Sequence, residues 1–245
     1  MDAVVVEHER LIGVDYSRRT IDQFAAVGAT FEDCHFDRTR IKDAAFGAGA
    51  EISRYVRCSF DGVGLTALGG FTRFEGCTFR NLRVTKVSPD YLEFVDCVFR
   101  GRITGLRLWG APLDGELRYS LWARLGRPEP RGLRDLMLRA RNEIYGNDFT
   151  ETTRLDVEFR FGVDLTTQRL PTGDDYLYLP EAEKALLHAL AETASSAPEA
   201  TGFLQDLLDR EVHRGQRQLF LRPDTFRTAG AQAALEALRQ STKPQ

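Results

Sequence analysis

No apolar run in the 245-residue chain approaches the roughly 18 residues that a membrane-spanning helix needs; the longest are stretches such as Ala3–Val6. No basic-then-apolar leader of the secretory kind opens it, so the expected compartment is the cytoplasm. A charge excess of one sign is missing too. Thirty-three Lys and Arg stand against 36 Asp and Glu, a formal net charge of −3, so bulk composition lacks the basic field of a dedicated nucleic-acid binder. Four Cys are too few for a disulfide scaffold in a chain of this length. Phosphate loops, dinucleotide fingerprints and nucleophile elbows are absent, and His8, His188 and His213 show neither zinc-protease spacing nor a partner pattern. What is present, 42% hydrophobic and 28% charged residues, suits an ordinary folded protein with core enough for one or two domains.

Within the first hundred residues one short pattern recurs four times: an aromatic, two residues, Cys, one residue, Phe. The copies are Phe31-Glu-Asp-Cys34-His-Phe36, Tyr55-Val-Arg-Cys58-Ser-Phe60, Phe74-Glu-Gly-Cys77-Thr-Phe79 and Phe94-Val-Asp-Cys97-Val-Phe99. Their Cys residues lie 24, 19 and 20 residues apart. Leu11-Ile-Gly-Val14-Asp-Tyr16 keeps the shape one period earlier, and Leu117-Arg-Tyr119 stands one period later. Five residues past the last aromatic of a copy comes another apolar position, Ile21, Ile41, Leu65 and Val84, with Thr104 beside Ile103 in the last copy; Phe46 and Trp109 follow at the next step.

A step of five inside a period of about 20 belongs neither to a helix nor to a simple strand alternation. It predicts a solenoid with four short faces per coil. Each face turns one large residue inward together with a smaller one two positions earlier, because residues i and i+2 of an extended segment share a side. Successive coils then stack about 4.8 Å apart through backbone hydrogen bonds. Phe36, Phe60, Phe79 and Phe99 form the expected central ladder, with Cys34, Cys58, Cys77 and Cys97 as its small partners.

These residues resemble the pentapeptide-repeat family. The matching segments are Cys34-His-Phe36, Ala44-Ala-Phe46, Cys58-Ser-Phe60, Cys77-Thr-Phe79 and Cys97-Val-Phe99, and the resemblance covers residues 11 to 120 or so. It implies a right-handed, four-sided parallel β-helix. It also implies a function, since some members imitate duplex DNA and bind type II topoisomerases such as gyrase, protecting them from inhibitors. Few faces here carry the family's commonest Ala-Asp-Leu form. Mimicry of DNA needs a strongly acidic exterior, whereas residues 1 to 125 hold 17 Asp and Glu against 17 Lys and Arg.

Irregular intervals locate the departures from the repeat. Ile41 to Tyr55 is four residues longer than a regular interval and Leu65 to Phe74 one shorter, which places a loop at Gly47–Ala50 and another around Gly69–Gly70. Phe149, Val157 and Phe159 lie 40 residues beyond Trp109, Leu117 and Tyr119, so the solenoid is expected to resume two nominal coils on. Between them, Leu133, Met137, Ala140 and Ile144 make one helical stripe over 131–145, with Asp135 and Arg139 spaced for an i,i+4 pair. Arg-Pro-Glu-Pro from residue 127 keeps the preceding chain extended.

The expected fold class is therefore mainly β: a four-sided right-handed parallel β-helix over 1–168, a helical insertion at about 127–146, and an α-helical cap over 169–245. In the cap, residues 170–175 read as a loop leading into Tyr176–Leu179, and a helix near Pro180 carries Leu186, Leu187 and Leu190. A second helix after Pro198 carries Phe203, Leu204, Leu207, Leu208 and Val212, followed by a short strand at Gln218–Leu221 and a last helix over Ala231–Leu238. Their apolar stripes need a surface, and the open solenoid end is the expected one.

Architecture outweighs chemistry in this pattern. Four Cys stacked one per coil span roughly 14 Å, whereas sulfurs around one zinc each lie about 2.3 Å from it; no metal and no cofactor is expected. Cys34 and His35 are neighbours on an extended segment and point to opposite sides, which disfavours a nucleophile-base pair. The polar cluster Asp174, Asp175, Tyr176 and Tyr178 reads as a loop without a nucleophile, so no enzyme is expected. On the outside, Arg80, Arg83, Arg100 and Arg102 recur on neighbouring coils as a candidate partner face, diluted by Glu75, Asp90, Glu93 and Asp96. The expected function is a non-catalytic protein-interaction scaffold, with a homodimer through the C-terminal helices as a further expectation.

Overall fold

The five-residue step is realised as a parallel β-solenoid of about five turns. The computed structural model describes residues 2–126 and 128–242; Arg127, the first residue of the expected insertion, lies outside them. The chain forms two compact units, Met1–Glu158 with Thr166–Leu170, and Phe159–Leu165 with Pro171–Gln245.

In the first unit each coil turns four large side chains inward. In one coil they are Phe31, Phe36, Ile41 and Phe46, and the smaller Ala29, Cys34, Thr39 and Ala44, two residues earlier in each case, are buried with them. First-face strands stack in register, Leu11 on Phe31, then Tyr55, Phe74, Phe94 and Ile144. This register creates two columns of rings. On the first face Phe31, Tyr55, Phe74 and Phe94 stack at centroid spacings of 4.8, 5.0 and 5.0 Å. On the second, the expected ladder Phe36, Phe60, Phe79 and Phe99 stacks at 4.9, 5.0 and 5.0 Å. Tyr16 and Phe149 extend it at either end. The coil rise thus coincides with the separation at which aromatic faces attract, so backbone pairing and ring stacking favour one register.

Corners are turned by left-handed residues two positions after the inward one. After the first face these are Gly13, Asp33, Arg57, Gly76, Asp96 and Gly146; after the second, Arg18, Arg38, Gly62, Asn81 and Gly101. Gly, Asn and Asp tolerate this conformation, whereas each Arg costs roughly 1–2 kcal/mol there.

The Cys column does more than fill space. Each thiol donates to a first-face carbonyl of the preceding coil: Cys34 to Leu11, Cys58 to Phe31, Cys77 to Tyr55 and Cys97 to Phe74. Where the column continues, Asn147 Nδ2 donates to Phe94 O at 2.9 Å and Gln168 Nε2 to Ile144 O at 2.9 Å. Small weak donors serve the middle coils, and amides serve the last ones. All four thiols are free and buried. Burial raises the Cys34 and Cys77 thiols, and the adjoining Cys77 thiol together with burial raises Cys58. At neutral pH a maleimide is expected to label none of them in the native protein and all four in denaturant, counted by intact mass; native labelling would contradict the column.

Several segments depart from the sequence-based expectation. Gly47 is not in a bulging loop but buried in the strand Arg40–Ala48, bridged to Gly70 on the next coil. A Cβ on Gly70 would stand 2.2 Å from Gly47 O, so both residues are glycine because two backbones touch. The solenoid resumes after one coil, not two: Ile144 pairs with Phe94, and the Phe149 ring lies 4.5 Å from that of Phe99. The intervening insertion holds helix α1 (Gly115–Ala123) and the short helix α2 (Leu133–Met137). Leu117 and Tyr119 are therefore helical rather than part of a coil. Pro112, which cannot donate to a ladder, sits where the strand ending at Trp109 would otherwise continue. The helix expected over 131–145 survives only as α2, because the solenoid captures the chain beyond it: Asn142 Nδ2 donates to Asp90 O and Trp109 O, and Ile144–Tyr145 is a strand.

The second unit pairs strand Leu177–Leu179 antiparallel with Leu219–Leu221. Helices α3 (Ala182–Thr193), α4 (Pro198–Leu207) and α5 (Ala229–Ser241) share a core that includes Leu179, Leu186, Leu204, Leu208, Ala234 and Leu238. The buried stripe of α3 runs through Ala182, Ala185, Leu186 and Ala189. That phase turns Leu187, an expected core residue, outward at 52% exposure. No helix among the described residues is long and apolar enough to cross a membrane.

Candidate functional site

The most extended charged feature of the first unit runs along the corner between the second and third faces. Arg80 lies in register with Arg100, and Arg83 with Thr104, so the four arginines singled out in the sequence, Arg80, Arg83, Arg100 and Arg102, do share this corner. All four are exposed. Register carries the row further than the sequence suggested. Arg40 and Arg83 both pair with Gly64, and the Arg18 and Arg38 amides donate to Asp37 O and Asp61 O on successive coils.

Among the described residues Arg18, Arg38, Arg40, Arg80, Arg83 and Arg102 make no ion pair, whereas Arg100 meets Glu151 at 3.0 Å. Gly62 and Gly64 break the row into two clusters, the coil between them presenting Asp61 in register with Arg80 and no arginine, and a Cβ on Gly64 would touch nothing within 4 Å. Asp37 and Asp61 lie alongside, but Asp37 is occupied with Ser59 Oγ and the Asp61 amide. The corner thus holds two clusters of cations, Arg18, Arg38 and Arg40 on one side of that coil and Arg80, Arg83 and Arg102 on the other, that form no ion pair among the described residues.

A second charged cluster is buried: Asp90 and Glu93, expected on the outside, lie under the insertion, and Arg139, expected opposite Asp135, turns to Glu93 instead. Glu93, 3% exposed, pairs with Arg139 at 3.3 Å and Arg73 at 3.7 Å, and accepts the Glu143 amide at 3.1 Å. Arg73 also reaches Glu143 at 2.8 Å, and the Arg139 guanidinium lies 5.5 Å from the Tyr91 ring centroid. Burial pulls the Arg139 pKa below its ordinary value. Asp90, also buried, holds Arg118 of α1 at 3.0 Å. All of these contacts but Arg73–Glu93, which joins two neighbouring coils, tie the insertion to the coils beneath it, so the cluster acts as a clasp.

The remaining candidates do not converge. Cys34 faces the core while His35 Nδ1 meets Ser59 Oγ at 2.9 Å on the outside. Asp174 and Asp175 are exposed in a turn, Tyr176 stacks on Phe220 at 4.9 Å, and Tyr178 lines a separate groove of about 570 Å³ with Glu181, Lys184 and His188. Among the described residues no three His, Cys, Asp or Glu side chains group to hold a metal ion. No family model matches the chain, and no curated protein matches it.

Proposed function

We propose that this protein is a non-catalytic, cytoplasmic interaction scaffold of the pentapeptide-repeat type whose arginine corner receives an acidic protein surface. The observation that carries the reading is the set of six exposed arginines, in two clusters along one corner of a filled solenoid, that form no ion pair among the described residues. Two columns of rings occupy the interior, which leaves a small molecule no room and the outer faces to do the recognition. The sign of that corner favours an acidic partner over topoisomerase binding, since duplex mimicry needs acidic rows.

Poly-L-glutamate titrated into the full chain at low salt tests the site. Binding is expected, weakening steeply with salt, and the triple variant Arg80→Glu, Arg83→Glu, Arg102→Glu is expected to lose at least about tenfold in affinity. Equal binding by that variant, or tighter binding of duplex DNA than of poly-L-glutamate, would overturn the assignment. DNA supercoiling by purified gyrase is expected to be unchanged by micromolar protein.

A further inference from the structure

Large exposed apolar side chains concentrate on α1 and the residues just after it. Leu117, Leu121 and Leu125 are 57%, 52% and 61% exposed; Leu117 and Leu121 stand at i and i+4 on α1, and Leu125 follows four residues on, in the turn after the helix ends at Ala123. The opposite face of α1 is already engaged. Tyr119 and Trp122 pack against the buried cluster of Phe71, Tyr91, Leu133 and Met137, and the Tyr119 hydroxyl donates to Glu129 at 2.7 Å. With Arg118 clamped to Asp90, α1 is held in place and presents its leucines outward. No residue of α1 is buried.

We infer that this stripe is a self-association surface on which α1 of a second copy of the chain packs antiparallel about a two-fold axis through Leu121. The charges flanking the stripe choose this occupant. Glu116, Ser120 and Arg124 form the adjoining i, i+4 row, with the carboxylate at one end and the guanidinium at the other. Neither Glu116 nor Arg124 makes an ion pair among the described residues. Antiparallel pairing sets Leu117 against Leu125 and Leu121 against itself, and brings Glu116 of each copy beside Arg124 of the other. Two ion pairs form per dimer. Parallel pairing would turn this flank toward the opposite flank of the copy, where Arg118 is already paired with Asp90, and an anionic membrane would meet the Glu116 carboxylate. On the other flank Arg118 is neutralised within its own chain. Three leucines a side make a small interface, which corresponds to a dissociation constant on the order of ten micromolar.

Sedimentation equilibrium of the full chain from about 1 to about 200 µM reads the prediction directly. Apparent mass is expected to rise from the monomer value of 27.6 kDa toward twice that. Leu121→Glu, at an exposed position, is expected to remain folded by circular dichroism and monomeric throughout. Glu116→Arg and Arg124→Glu are each expected to weaken the dimer about tenfold, and the two together to restore it. A monomer at every concentration would overturn the inference, as would a dimer indifferent to Leu121→Glu or a charge swap that restores nothing. Leu121-dependent capture of the monomer by phosphatidylglycerol vesicles would overturn it in favour of a lipid surface.

Discussion

Replacing Phe79 by alanine is expected to lower the melting midpoint of the solenoid by about 10 °C. Phe79 is 1% exposed and stacks between Phe60 and Phe99 at 5.0 Å on either side, with Phe74 and Phe94 at its edges, centroids 5.3 and 5.6 Å away. Truncation removes a ring from the middle of the column. The coils cannot close over the gap, because Thr78, Phe79 and Arg80 are held in register with both neighbouring strands by backbone pairing. An uncollapsed Phe→Ala cavity costs about 3–5 kcal/mol. In a chain of this size each kcal/mol moves the midpoint by about 2–4 °C. Phe79→Leu keeps most of the volume and is expected to cost well under half as much. Scanning calorimetry of the three proteins checks the order, and an unchanged curve for Phe79→Ala would refute the ladder.

Phe79 was legible in the sequence because large inward residues repeat where coils repeat, and the same comb exposed Phe36, Phe60 and Phe99. The comb failed where two structures share a spacing. Leu117 and Tyr119 sit two apart on the expected step, yet they belong to α1, and Pro112 was the local sign that the strand had to end. Asn147 and Gln168 escaped for the opposite reason. As polar residues they break an apolar pattern, although they do the work of the Cys column, which becomes visible only when the carbonyl of the preceding coil is in place. Four of the seven arginines of the corner, Arg80, Arg83, Arg100 and Arg102, were legible. Arg18, Arg38 and Arg40 were hidden by the 24-residue step between Cys34 and Cys58 and by the coil at Asp61–Gly64, which carries no arginine. The buried charges at Glu93 and Arg139 were misread locally, Glu93 as an outer charge and Arg139 as the partner of Asp135, since their actual partners lie across the insertion.

Those buried charges carry the other large expected effect. Glu93→Ala is expected to destabilise the first unit by about 3–5 kcal/mol, the ordinary cost of removing one member of a buried ion pair. The loss is less the attraction given up than the cation left behind. The Arg139 side chain is only 14% exposed, its Nη2 has no hydrogen-bond partner among the described residues even with Glu93 present, and burial already disfavours its charge. Without Glu93, Arg139 keeps Asn142 Oδ1 and the Tyr91 ring, while the Glu143 amide loses its acceptor. Both contacts hold the insertion, so release should be local before it is global. Trypsin is expected to cut Glu93→Ala within the arginine-rich stretch from Arg124 to Arg141 under conditions that leave the wild type intact. Glu93→Gln keeps an acceptor for the Glu143 amide and is expected to fall between the two. Adding Arg139→Met to Glu93→Ala removes the stranded cation and should recover part of the lost stability. If the double variant is as unstable as Glu93→Ala alone, the penalty does not come from the stranded Arg139 charge and the clasp is not held by this pair.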